Sequence, residues 1–165
     1  MAMDQGVVAA VNREGKYLTF TLASEDYGIG ILKVKEIIGI MAITTVPQTP
    51  DYVKGVINLR GKVIPVIDLR LKFAMEDMAY TERTCIIVVE ISGGGNKIMM
   101  GILVDSVSEV LNIKSSDIED TPNFGSQLNT DYILGMAKMG ERVKILLEID
   151  KVLSDADFAV VSVAA

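Results

Sequence analysis

The clearest hydrophobic and polar pattern lies at residues 52–70, where two apolar runs, 56–59 and 63–69, flank Arg60-Gly61-Lys62. β-Branched residues dominate both runs, and Gly61 can take the positive φ of a tight turn, so the stretch predicts a β-hairpin. The second run is apolar on both faces, as in a strand buried on both sides. Pro65 cannot donate to a ladder and is expected at an edge or a bulge. The turn lifts one guanidinium out of an apolar hairpin, which provides a fixed point of contact rather than catalytic chemistry.

The remaining pattern predicts further short strands. Residues 17–22 alternate and read as a first strand; 24–26 form a turn, and a second strand starts at Tyr27. In 31–38, Ile31, Val34 and Ile38 fit one helical face, yet the run also suits a strand, so a short helix leading into a strand is expected. A short strand is expected at 43–46, a loop at 47–51 and a polar connection at 71–83. Residues 84–91 and 98–104 read as strands around a glycine-rich turn. Residues 105–111 are short and apolar at Val107, Val110 and Leu111. Residues 112–131 read as a long polar loop interrupted by Ile118 and Phe124. A last hairpin, 132–139 with 143–149, turns at 140–142. Ser154 to Asp157 resembles a capping box opening a C-terminal helix through Phe158 and Val161.

The second half repeats the first. Gly28, Ile29, Val34, Glu36, Ile37 and Ile38 recur 73 positions later as Gly101, Ile102, Val107, Glu109, Val110 and Leu111. Tyr52, Gly55 and Val63 recur 80 positions later as Tyr132, Gly135 and Val143. Shared spacing of this kind indicates a duplication, the alternative being that any two small β units share such patterns. Many short strands with few helices give an all-β class, either small barrels or a sandwich. Closing each half into a barrel would hide its strand edges.

The 165 residues bound this to one domain or two small halves sharing a core. Lys and Arg number 16 against 22 Asp and Glu, a net charge of −6 without a basic cluster, which argues against nucleic acid and anionic membrane. The longest uncharged span, 37–50, is too short to cross a bilayer and contains Pro47. Residues 1–6 lack a basic leader and 7–11 are too short for a signal core, so a cytoplasmic protein is expected. Absence of histidine removes Ser-His-Asp, Cys-His and His-ligated metal chemistry. Cys85, the only cysteine, lies in an apolar run and reads as a buried small hydrophobe.

Among candidate groups, Asp26, Glu36, Asp68, Asp105 and Glu109 lie near apolar runs, where a raised pKa could arm a carboxylate pair. Turn, strand-end and solvated-face roles explain them more simply. Gly93-Gly94-Gly95 lacks the following Lys-Ser/Thr of a phosphate loop, and Gly28-Ile29-Gly30 lacks the third glycine of a dinucleotide fingerprint. Nine methionines fill core gaps more readily than they line a binding surface. Arg60 is either a solvated turn residue or, with Asn58 and Lys62 beside it, an interface anchor.

Tyr27-Gly-Ile, Leu32-Lys-Val-Lys-Glu-Ile37, Gly55-Val-Ile-Asn-Leu-Arg-Gly61 and Ile64-Pro-Val-Ile-Asp-Leu69, with Gly101-Ile-Leu-Val-Asp105, Val107 and Val110-Leu111, resemble the CheW-like domain family of bacterial chemotaxis coupling proteins. The likeness covers nearly all of 17–153. It implies two linked SH3-like five-stranded β-barrels with short helices and a groove between them. The expected layout is a lead-in at 1–15, one domain at 16–153 built from halves near 16–75 and 84–150 whose strands may exchange, and a helical tail at 154–165. It also implies an adaptor with no catalytic activity, cofactor or metal. Such proteins bind the cytoplasmic tip of methyl-accepting chemoreceptors and the regulatory domain of the histidine kinase CheA, at membrane-associated receptor arrays. The matching binding positions are Val34, Glu36, Ile37, Asn58, Arg60, Gly61 and, through the repeat, Val107. A different class, a small carboxylate enzyme or a small-molecule-binding barrel, would need a deep pocket with convergent acids. A fragment of a larger coupling protein or kinase is a further reading.

Overall fold

A computed structural model describes residues 13–93, 96–122 and 131–153. The strands are β1 (Gly15–Leu22), β2 (Glu25–Gly30), β3 (Val34–Gly39), β4 (Val53–Leu59), β5 (Lys62–Asp68), β6 (Cys85–Gly93), β7 (Asn96–Val104), β8 (Ser106–Ile113), β9 (Ile118–Glu119), β10 (Ile133–Met139) and β11 (Arg142–Leu147). Two single helical turns, α1 (Leu69–Lys72) and α2 (Ile149–Val152), follow β5 and β11. The class is all-β, as expected. The 31–38 segment is a 3-10 turn, Ile31–Lys33, leading into β3. The expected strand at 43–46 reduces to one bridge, Thr44 to Val56. The expected loop at 112–131 is shorter, because β8 runs to Ile113 and β9 forms at Ile118. Phe124 and the expected helix opening at Ser154 lie outside the described residues.

The strands form two sheets, ordered β8-β1-β2-β11-β10-β9 and β3-β6-β7-β5-β4. Each sheet combines a hairpin from one half of the chain with strands from the other, four in the six-stranded sheet and three in the five-stranded one. The β1–β2 hairpin joins β8, β11 and β10, and the β6–β7 hairpin joins β3, β5 and β4. The halves therefore exchange hairpins. The repeated positions share a register: Gly28 pairs with Leu146 in one parallel ladder, and Gly101 pairs with Val66 in the other. Those pairs are the same two repeat positions with the halves interchanged.

Burial explains why so many runs are apolar on both faces. On β6, Ile86 and Val88 pack with Ile57, Ile64 and Val66 inside their own sheet. The alternate residues Ile87 and Val89 join Leu18, Phe20, Leu22 and Ile29 of the other sheet in one shared core. Period-two alternation sends neighbouring side chains to opposite faces, so a strand in a curled sheet that also packs on a second sheet must be apolar throughout. Tyr17, Ile113, Ile118, Ala137 and Leu146 form the inner core of the six-stranded sheet.

Each sheet closes through a short return of the chain onto its far edge. Thr44 exchanges two 2.8 Å backbone hydrogen bonds with Val56 on β4. In the six-stranded sheet β9 returns onto β10, with Glu119 opposite Met136. Pro65, opposite Val56, has no N–H to offer. Val56 turns its own hydrogen bonds toward Thr44, and the β5–β7 ladder begins only at Val66. The proline thus sits inside a strand at a position that needs no donor, not at an edge but next to the register irregularity between Val53 and Gly55.

Candidate functional site

The Arg60-Gly61 turn joins β4 to β5 with Leu59 opposite Lys62. Both residues have positive φ, 51° and 88°. That is the two-residue geometry whose twist matches antiparallel strands. Gly61 was the expected left-handed position; Arg60 is left-handed as well, which a non-glycine residue seldom adopts. The Asn58 side-chain oxygen accepts the Gly61 N–H at 2.8 Å and holds the turn. Asn58 and Gly61 therefore set the backbone from which Arg60 projects.

The Arg60 guanidinium forms a two-pronged ion pair with Glu36 on β3, Nη1 to Oε2 at 2.8 Å and Nη2 to Oε1. Because β3 and β4 are the two edges of one sheet, this pair clasps the seam where the sheet closes. The Arg60 hydrogen bond holds the Glu36 carboxyl below the usual glutamate range, and the same contact raises the guanidinium further. Arg60 keeps 68% of its side chain exposed, so the clasp is a surface feature with donors left over. Exposed apolar residues share this sheet: Ile37 at 44% and Val63 at 65%.

The expected binding positions do not form one cluster. Glu36 meets Arg60, and Asn58 meets Gly61, with Ile37 on the same strand as Glu36. Val34 is half-buried against the shared core. Val107 stands on β8 in the other sheet, opposite Phe20, and packs against the same core. The repeat reveals surface residues that motif reading passes over. Val110 and Val143, equivalent to Ile37 and Val63, are 49% and 48% exposed. The clasp is not repeated: Gly140 stands where Arg60 does, and Glu109 instead exchanges backbone hydrogen bonds with the Thr19 hydroxyl.

Most of the candidate carboxylates have structural partners. Asp26 contacts Lys144 at 3.2 Å and Arg142 at 3.5 Å. Asp68 caps α1, accepting the Leu71 N–H at 3.3 Å, and burial pushes its carboxyl up despite that bond and Lys54. Burial also pushes Asp105 upward, but the Arg70 and Ala23 hydrogen bonds outweigh it and hold the group below the usual range. Glu109 is exposed. Among the described residues no group of three acids or Cys could hold a metal, and no helix is long and apolar enough to cross a membrane. A cleft of about 230 Å³ is walled by Tyr17, Ile31, Leu134, Leu147 and Ile149. Leu32, 91% exposed, stands beside it.

Two closed β units, a clasped surface arginine and exposed apolar residues at repeated positions define a protein that works through contact surfaces. The sequence matches the CheW-like domain over residues 16–157. A chemotaxis protein CheW of Klebsiella aerogenes is 45% identical over 146 residues, 88% of this chain and 86% of the relative. CheW of Bacillus subtilis is 32% identical, covering 89% and 92%. The crystal structure of the scaffolding protein CheW from Thermoanaerobacter tengcongensis superposes with a TM-score of 0.74 at 36% identity, covering 86% of this chain and 93% of that one. The chain belongs to the CheW-like domain family. Its role is that of a non-enzymatic adaptor in chemotaxis, and nothing in these relatives supports the carboxylate-enzyme reading.

Proposed function

We propose that this chain couples methyl-accepting chemoreceptors to a histidine kinase of the CheA type, binding the receptors' cytoplasmic tip and the kinase's regulatory domain within membrane-associated arrays. The observation that carries this reading is the Arg60–Glu36 clasp beside exposed Ile37 and Val63. An arginine already fixed by a carboxylate and a rigid turn loses little side-chain freedom on binding, which favours an interface anchor. The neighbouring apolar residues supply surface to desolvate around it. Val34, Glu36, Ile37, Asn58, Arg60, Gly61 and Val107 make up the proposed contact set. The apolar cleft at Tyr17, Ile31 and Leu134 fits the apolar stripe of a receptor helix. Coupling is mechanical: the adaptor holds kinase and receptor in one geometry, so receptor state biases the kinase equilibrium.

Co-sedimentation with receptor-bearing membranes and the kinase tests this. Arg60→Ala is expected to lower adaptor and kinase recovery while the fold stays intact. Recovery and kinase stimulation equal to the unaltered chain would overturn the assignment.

A further inference from the structure

The hairpin exchange places a contact between the halves at each crossover, and the two contacts have opposite polarity. Where β7 passes into β8, Asp105 receives the Arg70 guanidinium from α1, Nε to Oδ1 at 2.6 Å and Nη2 to Oδ2 at 2.5 Å. The Ala23 N–H, just beyond β1, adds a bond to Asp105 at 2.8 Å. Where β2 passes into β3, Lys33 donates to Asp150 of α2 at 2.7 Å, and the Ser92 N–H of β6 contacts Asp150 at 3.4 Å. Arg70 and Asp150 are equivalent repeat positions, 80 apart. Asp105 aligns with Leu32, the neighbour of Lys33. The first half thus carries a base on its crossover and a base on its helix, and the second half carries an acid on each.

We infer that this inversion of charge makes only unlike halves complementary, so that like halves of two copies are kept from pairing. The hydrophobic register cannot make that distinction, because Gly28 with Leu146 and Gly101 with Val66 are the same repeat pair. Two first halves exchanging hairpins would set Arg70 against Lys33, and two second halves would set Asp150 against Asp105. Both native pairs are largely sheltered, with side-chain exposures of 12% and 20% for Arg70 and Asp105, and 36% and 28% for Lys33 and Asp150. Like charges brought together in such sites are strongly unfavourable. The remaining ionic contacts at the strand ends, such as Lys144 and Arg142 with Asp26, do not lie at the crossovers.

The test exchanges one pair in the full chain. In K33D/D150K the pair survives within the chain, but each half becomes complementary to itself. After unfolding in urea and refolding at high concentration, light scattering on a sizing column is expected to show the dimer fraction up by about tenfold, the effect of roughly 1.4 kcal/mol. The conservative K33R/D150E keeps the polarity and is expected to remain as monomeric as the unaltered chain. A monomeric K33D/D150K, or an equally dimeric K33R/D150E, would overturn the inference. Should K33D/D150K fail to refold, K33Q/D150N decides: it removes both repulsions, and a dimer fraction equal to the unaltered chain would overturn the inference while an increase supports it.

Discussion

The carbonyl oxygen of Thr44 lies 2.0 Å from where a side-chain carbon on Gly55 would stand. This approach is what lets the chain after β3 hydrogen-bond to β4 and close the five-stranded sheet. Gly135 plays the equivalent part under β9, where an added carbon would stand 2.6 Å from the Ile118 side chain.

Gly55→Ala is therefore expected to destabilise the fold by about 3 kcal/mol or more, because the neighbour is backbone and φ is +142°. Gly61→Ala meets nothing within 4 Å and carries only the cost of φ +88°, about 1–2 kcal/mol. Urea midpoints of the two variants, compared at constant slope, check the order.

Arg60 presents a conflict between stability and binding. Its left-handed backbone costs free energy that Asn bears more easily, so Arg60→Asn should relieve about 0.5–1 kcal/mol of strain while losing the exposed Glu36 clasp, a surface ion pair of small net worth. The same change removes the guanidinium and should lower recovery with receptor and kinase. Calorimetry and co-sedimentation check both, with Glu36→Gln as the variant that weakens the clasp and keeps the strain: an Arg60→Asn less stable than Glu36→Gln contradicts the strain argument.

Acid denaturation should follow the Arg70–Asp105 pair. The folded-state pKa of Asp105 lies below its unfolded value, so its contribution is present above the ordinary aspartate range and fades as pH falls through the depressed folded value. Asp68 runs the other way. Burial raises its folded pKa, so ionising it costs stability as pH rises from the ordinary aspartate range through the raised value. Asp105→Asn should flatten the acid limb of stability against pH, and Asp68→Asn should remove the opposing slope. Urea midpoints measured from about pH 2.5 to 6 check both signs.

Ile37→Asp and Val63→Asp place charge on surface that is already exposed, and their effect on stability should stay within about 0.5 kcal/mol. Binding to the kinase should weaken in both. Val110→Asp and Val143→Asp probe the equivalent patch of the other unit; a partner that reads both units will lose affinity in all four variants, measured by titration calorimetry.

The sequence was informative wherever the governing interaction was local. The Arg60-Gly61 turn, the 3-10 turn into β3 and the repeat all follow from neighbouring residues or fixed spacing. The hairpin exchange does not, because Gly28 would meet Val66 or Leu146 in the same register, and alternation cannot say which half supplies the partner. The run 43–46 reads as a short strand, yet only the tertiary approach at Gly55 decides that Thr44 makes a single bridge. For the proposed site, the arginine was legible from its turn, while Glu36 as its partner was not, since 24 residues separate them. Val110 and Val143 were within reach once the 73- and 80-residue offsets were applied to Ile37 and Val63.

Because β1–β2 and β6–β7 are each seated in the sheet of the opposite half, neither unit can swing away without tearing out a neighbour's strands. The two crossovers act as paired tethers, loaded together by any force that would part the units. Displacement imposed on one side is then carried to the other through paired strands rather than across a hinge.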